Sequence, residues 1–104
     1  MATKQFALDR VLDLLSELDD VSCRSMMGEY LLYYRGKVFG GVYDDRFLLK
    51  PARSALSAFP DAKKISPYPG AKEMLLIEDT VDKTFLRDLV LSMYPDLPFP
   101  KKKK

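Results

Sequence analysis

Apolar residues recur at helical spacing near the start of the chain. Over residues 4–18 they stand one, three or four positions apart, with charged and hydroxyl residues between them: Ala7, Leu8, Val11, Leu14, Leu15 and Leu18. These intervals predict an amphipathic helix with one side packed on a core. Thr3 is its predicted N-cap, because the hydroxyl can accept a hydrogen bond from a first-turn amide that has no helical partner.

Residues 29–50 show a different pattern, in which short runs of β-forming residues alternate with pairs of turn residues. The runs are EYLLYY, KVFGGVY and RFLLK, and the pairs are Arg35-Gly36 and Asp44-Asp45. Two-residue connections favour antiparallel hairpins, so this pattern predicts a three-stranded meander. The preceding VSCRSM either extends the first of these strands or forms a separate edge strand.

Side chains alternate between the two faces of a strand, so the first run divides into two sets. Tyr30, Leu32 and Tyr34 would lie on one face of the sheet, and Leu31 and Tyr33 on the other. Both faces are apolar, but the helices of a small two-layer domain cover only one of them. We therefore expect the other face to meet a partner chain, a ligand or another part of the protein. Its candidate interaction residues are Leu31, Tyr33 and Tyr43.

The remaining elements complete an α+β pattern. A short helix is predicted in ARSALSAFP, a second hairpin in KKISPYPG and EMLLIED, and a final helix from about Asp82 to Tyr94. Pro67 and Pro69 confine the first strand of this hairpin to a sheet edge, because proline donates no ladder hydrogen bond. The predicted order is α-β-β-β-α-β-β-α, with residues 1–97 as a single domain and residues 98–104 as a flexible Pro/Lys tail.

The residue types leave little room for catalytic chemistry. The chain of 104 residues has no histidine and one cysteine, Cys23, so a Ser-His-Asp or Cys-His arrangement is excluded and a zinc site lacks ligands. Neither a P-loop nor a dinucleotide-binding GxGxxG follows a strand. Cys23 is interpreted as a half-buried strand residue, although a thiol-dependent or carboxylate enzyme stays open as a third hypothesis. We expect a non-enzyme without cofactor or metal.

Charge does not favour a nucleic-acid footprint on the folded part of the chain. Lys and Arg number 17 against 15 Asp and Glu, but without Lys101–Lys104 the ratio becomes 13 to 15. RGKVFGGVY partly matches the RNA-recognition pattern, although Lys37 and Val38 interrupt its register. Weak nucleic-acid binding through the lysine tail and the Arg35-Lys37 turn is therefore the alternative hypothesis.

The chain also lacks signals for membranes and export. Its longest apolar runs are shorter than a membrane span, and Asp9 and Asp13 lie where a signal peptide would be apolar. The single thiol agrees with a reducing compartment. We therefore expect a cytoplasmic protein with no membrane partner.

The stretch RSMMGEYLLYYRGKVFGGVYDDRFLLK resembles the N-terminal domain of the TfoX/Sxy family, bacterial proteins named for regulating natural competence. The matching positions are Arg24, Met26, Met27, Gly28, Gly36, Lys37, Phe39, Asp44 and Lys50. PYPGAKEMLLIED and the closing helix also fit, so the resemblance covers roughly residues 5–97. It implies an α+β fold with a five-stranded antiparallel sheet and helices mainly on one side, similar to type III secretion chaperones.

The resemblance also implies a non-enzymatic regulatory role. Better-studied family members help the cAMP receptor protein act at competence promoters. The present sequence looks like a stand-alone, single-domain member of that family. Our leading hypothesis is a protein-interaction module that self-associates or docks to a transcription-related partner through the second face of its sheet.

Overall fold

The structure of the chain is a computed structural model, and it describes residues 4–26, 28–78 and 80–97. In these ranges the helices and strands follow in chain order as α1 (Gln5–Leu14), β1 (Val21–Met26), β2 (Glu29–Tyr34), β3 (Lys37–Tyr43), β4 (Arg46–Leu49), α2 (Arg53–Ala58), β5 (Lys64–Ile65), β6 (Met74–Ile77) and α3 (Lys83–Met93). A 3₁₀ helix, Tyr94–Asp96, follows α3. The predicted cap Thr3, the motif residue Met27 and the predicted tail 98–104 lie outside the described residues.

The strands form one antiparallel sheet in the spatial order β1-β2-β3-β4-β6-β5. The predicted α+β class with an antiparallel sheet is confirmed, but the expected number of five strands is wrong, because this sheet has six. The additional strand is β1, VSCRSM, which pairs with β2 from Val21 opposite Tyr34 to Met26 opposite Glu29. Gly28 has a φ of 87°, a left-handed conformation that turns the chain back between the two strands. VSCRSM is therefore a separate edge strand.

The two central hairpins have the two-residue turns that the sequence predicts. Arg35 and Gly36 have φ values of 50° and 86°, and Asp44 and Asp45 have values of 52° and 65°. Positive φ at both central positions is the signature of type I′ turns, whose twist matches that of the flanking strands. These local turns set the pairing of β2, β3 and β4.

A β-bulge interrupts the pairing of β2 with β3. Leu32 lies opposite Gly40 and Tyr33 lies opposite Val38, so Phe39 has no partner residue across the ladder. Phe39 is fully buried on the helix side of the sheet, whereas Val38 shares the other side with Tyr33. The bulge thus puts Phe39 in the core and places Val38, in its stead, on the face opposite the helices.

The main core lies between the helices and one face of the sheet. It joins buried residues of α1, α3 and the strands, among them Leu8, Val11, Leu32, Phe39, Val42, Leu49, Leu86 and Val90. Helix α2 adds Ala55. Because directly paired strand residues project to the same side, this core identifies the helix-covered face along every long strand.

Helix α1 ends before residue 18, where the sequence pattern places its end. Beyond Leu14 the amide bonding changes from i−4 to i−3, with the Ser16 amide donating to the Asp13 carbonyl at 3.1 Å and the Leu18 amide to the Leu15 carbonyl at 3.0 Å. Such bonds tighten a last turn and lead the chain toward β1. At the other end, the Lys4 amide donates to the Asp45 carboxylate at 2.7 Å, so the β3–β4 turn holds the start of α1.

Candidate interaction face

The face of the sheet opposite the helices, here called the open face, carries the side chains that strand alternation selects for binding. Leu31, Tyr33 and Val38 lie on it and are each half-buried. Arg24 of β1 lies directly opposite Leu31, so Arg24 and Met26 project to the same face. Arg24 is exposed, and 41% of Met26 is accessible. These five residues are called the open-face patch.

Tyr43 lies in a second, smaller core on the open face. Only 5% of it is exposed, and it packs with Leu48 and Met74. Its ring centroid lies 6.5 Å from that of Tyr68, in the segment 66–73 that connects β5 to β6. Burial, and then the neighbouring Tyr68 phenol, raise the pKa of Tyr43. The structure thus leaves Leu31 and Tyr33 partly accessible but covers Tyr43 with another part of the chain.

A groove of about 370 Å³ lies between segment 66–73 and the open face. Most of its lining is apolar and aromatic and includes Leu31, Val38, Tyr43, Pro67, Tyr68 and Met74. Lys50 also lines the groove and is half-buried. Burial lowers the pKa of Lys50, and within the described part of the chain its ammonium group has no ion pair or side-chain hydrogen bond.

The two cations of the Arg35-Lys37 turn contact other parts of the chain. Lys37 is 8% exposed, and its Nζ donates to the Tyr94 carbonyl at 3.1 Å and lies 4.2 Å from the centroid of the Tyr94 ring. Tyr94 caps the C-terminus of α3, where a lysine can satisfy a carbonyl that has no helical partner. Arg35 lies over the Tyr34 ring and 3.8 Å from the Asp19 carboxylate. Lys37 is therefore not available to phosphate, whereas Arg35 is exposed, and the lysine tail lies outside the described residues.

The positions that carry the family resemblance divide into two groups. Five of them form turns, fill the core or hold the end of α3: Gly28, Gly36, Lys37, Phe39 and Asp44. The other described positions are Arg24, Met26 and Lys50, and all three lie on the open face. The residues of this second group form no turn and fill no part of the main core. The open face is therefore the best candidate for a functional surface.

Cys23 is exposed rather than half-buried as predicted, because β1 is an edge strand in which every residue after Val21 is exposed. Its Cα lies opposite Leu32, so its side chain projects to the helix side while that of Arg24 projects to the open face. Within residues 4–26, 28–78 and 80–97, no group of three or more His, Cys, Asp or Glu side chains could hold a metal ion. No described helix is both long and apolar enough to cross a membrane.

Comparison with known proteins supports the resemblance seen in the motif positions. The TfoX N-terminal domain family matches residues 13–87, which is more than half of the chain. The chain belongs to this family. The match contains all six strands of the TfoX N-terminal domain and every residue of the open-face patch.

A relative of this TfoX N-terminal domain protein occurs in Spirochaeta aurantia, where it is described as an uncharacterized 12.7 kDa protein in the trpE 5′ region. The two are 39% identical over 80 residues, which are 76% of this chain and 70% of the relative. No solved structure matches the chain.

Proposed function

We propose that this protein is a non-enzymatic regulatory module of the cytoplasm that acts by binding a protein partner through the open-face patch. The observation that carries the proposal is an apolar surface on the central strands with all described helices on the opposite face. A half-buried Leu31 and Tyr33 on a sheet face are costly to leave in water and become fully buried when a second chain covers them.

The chemistry of the patch indicates what the partner surface should look like. Tyr, Met and Arg are enriched at the centres of protein interfaces, and the patch contributes Tyr33, Met26 and Arg24. Arg24 has no ion pair or hydrogen bond among the described residues. The complementary surface is therefore apolar at its centre, with a carboxylate positioned to pair with Arg24.

The regulatory part of the proposal rests on family membership, and the non-enzymatic part on residue types. The family's association with competence supports a role in transcription or competence regulation. The chain has no histidine, and its single thiol lies on an exposed edge strand, away from the open face.

A comparison of two aspartate variants tests the surface. Tyr33→Asp replaces an aromatic ring of the patch with a charge, whereas Leu91→Asp places a charge on α3, where Leu91 is 45% exposed on the helix side. Nuclease-treated bacterial lysate is passed over wild type and both variants, and recovered proteins are purified and measured by calorimetry. We expect a partner that binds wild type and Leu91→Asp alike and binds Tyr33→Asp at least about tenfold more weakly. Equal affinity for all three proteins contradicts the proposal.

The same variants test the regulatory role in cells. Transcripts are profiled in a strain that lacks the protein and in strains that carry wild type, Tyr33→Asp or Leu91→Asp at equal protein levels. We expect Leu91→Asp to restore the wild-type profile and Tyr33→Asp to leave the profile of the deletion. Full restoration by Tyr33→Asp, or no transcript change on deletion, would overturn this role.

A further inference from the structure

The groove beside the patch has the size and lining of a small-molecule site. Its volume of about 370 Å³ lies within the range of typical ligand pockets, roughly 300–1,000 Å³. One wall is the sheet, with Val38 and Tyr43, and the other is segment 66–73, with Pro67 and Tyr68. Sites of this kind combine apolar walls with a few polar groups that fix the orientation of a ligand.

Gly41 keeps the sheet wall of the groove flat, because it lies opposite Leu31 and Leu48 on the open face. Gly40 also lines the groove, but a Cβ there would project to the helix side, because Gly40 lies opposite Leu32 and Leu49. A Cβ on Gly41 would lie 2.6 Å from the Tyr43 ring and 2.7 Å from the Tyr30 carbonyl oxygen. Since no side chain fits at Gly41, the Tyr43 ring lies close against the sheet and the space above this part of β3 stays open.

Lys50 gives the groove a half-buried cation that has no ion pair among the described residues. The ionisable groups that line the groove with it are Tyr43 from β3 and Tyr68, Lys72 and Glu73 from the connecting segment. Lys72 and Glu73 are both exposed, and neither lies within ion-pair distance of Lys50. Burial raises the pKa of the Tyr43 phenol, so that phenol does not balance the half-buried Lys50 ammonium group. Partial burial of an unpaired cation is unfavourable, and an anion in the groove would relieve it.

We propose that the groove binds a small organic monocarboxylate whose apolar body packs against Val38, Tyr68 and Met74 while its carboxylate pairs with Lys50. An ammonium group among apolar walls matches a single negative charge. Phosphate groups are usually held by several donors at once, whereas the lining supplies one half-buried ammonium group, Lys50, and an exposed Lys72. The assignment does not depend on the protein partner proposed for the open-face patch.

The probe pair is 2-naphthoate and 2-naphthamide, which share the same apolar rings but differ in charge. Binding is measured by calorimetry on the full chain, and its place is read from amide chemical-shift changes. We expect saturable 2-naphthoate binding with shifts at Leu31, Val38 and Tyr43, and weaker binding of the amide. No binding of 2-naphthoate at millimolar concentration overturns the proposal.

Lys50→Met tests the charge and keeps the length of the apolar stem. We expect it to weaken 2-naphthoate binding about tenfold, because it removes a charge-assisted hydrogen bond, and to leave 2-naphthamide within about twofold. Lys63→Met, at an exposed lysine outside the groove, is the matched control and should bind both probes as wild type does. Equal loss of both probes in Lys50→Met, or no loss of either, contradicts an ion pair at this position.

Two further readouts separate this site from a structural effect and from the partner surface. In wild type, 2-naphthoate should raise the pKa of Lys50 toward its ordinary value of 10.5, measured by carbon NMR at Cε, whereas 2-naphthamide should not. Tyr33→Asp should weaken binding of the protein partner and leave 2-naphthoate binding unchanged. Lys50→Met should weaken 2-naphthoate binding and leave binding of the protein partner unchanged. A pKa of Lys50 that 2-naphthoate leaves unchanged counts against the pairing.

Discussion

Tyr43 shows how burial on the open face changes a single side chain. Its phenol is buried beside Leu48 and Met74, and burial raises its pKa from the ordinary value of 10.0. In the unfolded chain the phenol loses its proton near pH 10, and in the folded chain it does so at higher pH. Between these two values the unfolded state binds fewer protons at Tyr43, so the contribution of Tyr43 to the unfolding free energy falls as the pH rises through this window. Below the window this contribution is constant.

We therefore predict that one of the six tyrosines ionises late in an ultraviolet titration of the folded protein, and that Tyr43→Phe removes this late step. The same variant should flatten the decline of the unfolding free energy above pH 10. The chain in strong denaturant is the reference, where the late step should be absent for wild type too. A late step that persists in Tyr43→Phe would assign the shifted phenol to another residue.

The length and register of individual elements follow from local signals to different degrees. Residues 29–49 were predictable because type I′ turn residues and β-forming runs agree there. Strand β1 gave a weak signal, since it has no buried face and Ser22, Arg24 and Ser25 are exposed. An edge strand is defined by its backbone pairing with β2, which side-chain hydrophobicity does not report.

The candidate site was predictable for the same reasons and only in part. Alternation correctly separated Leu31 and Tyr33 from the helix-side residues of β2. The bulge at Phe39, which places Val38 on the open face, is a register shift in the pairing of β3 with β2. The covering of Tyr43 by segment 66–73 is likewise a contact between distant parts of the chain. Such tertiary contacts leave no periodic pattern in the sequence.

Gly36 and Gly41 allow the destabilisation caused by backbone strain to be compared with that caused by a steric clash. Gly36→Ala meets no atom within 4 Å but must adopt a φ near 86°, which costs about 1 kcal/mol. Gly41→Ala must displace the Tyr30 carbonyl and the Tyr43 ring, and we expect it to lower the free energy of unfolding by about 3 kcal/mol. Urea unfolding measures both variants. A Gly41→Ala protein as stable as Gly36→Ala would contradict the close approach of β2 and β3.

Lys37 joins the second hairpin strand to the end of the last helix. Lys37→Met keeps the apolar stem but removes the hydrogen bond to the Tyr94 carbonyl and the cation over the Tyr94 ring. We expect a loss of about 2 kcal/mol in unfolding free energy, since hydrogen bonds to charged groups in buried positions are worth roughly that amount. Lys83→Met removes an exposed pair with Asp13 at 3.3 Å and should cost less than about 1 kcal/mol. Equal costs for the two variants would mean that Lys37 has no special role.

At the scale of the whole molecule, the two faces of the sheet differ in how much of the core they carry. The helix face holds the main core, and the open face combines a small core, the groove and the open-face patch. Folding therefore relies mainly on one face, which leaves the other able to accept Arg24, Lys50 and an exposed Met26. Contact with a partner or a ligand can be altered there without changing the main core.

The net charge of the whole chain provides a test of the nucleic-acid alternative. Removal of Lys101–Lys104 changes the formal charge from +2 to −2, because four of the 17 basic residues are lost and all 15 acidic residues stay. Lys37 is buried against Tyr94, so Arg35, which lies 3.8 Å from the Asp19 carboxylate, is the one exposed cation that the turn supplies.

We therefore predict that any retention of the full chain on DNA falls steeply with salt and is abolished in the chain of residues 1–100. Binding of the protein partner and of 2-naphthoate should be the same for both chains, because the patch and the groove lie within residues 24–74. Fluorescence anisotropy with a labelled duplex at increasing salt concentrations measures the first effect, and calorimetry measures the second. DNA binding that survives removal of Lys101–Lys104 and disappears in Arg35→Ala would contradict this prediction and show that the Arg35-Lys37 turn binds phosphate.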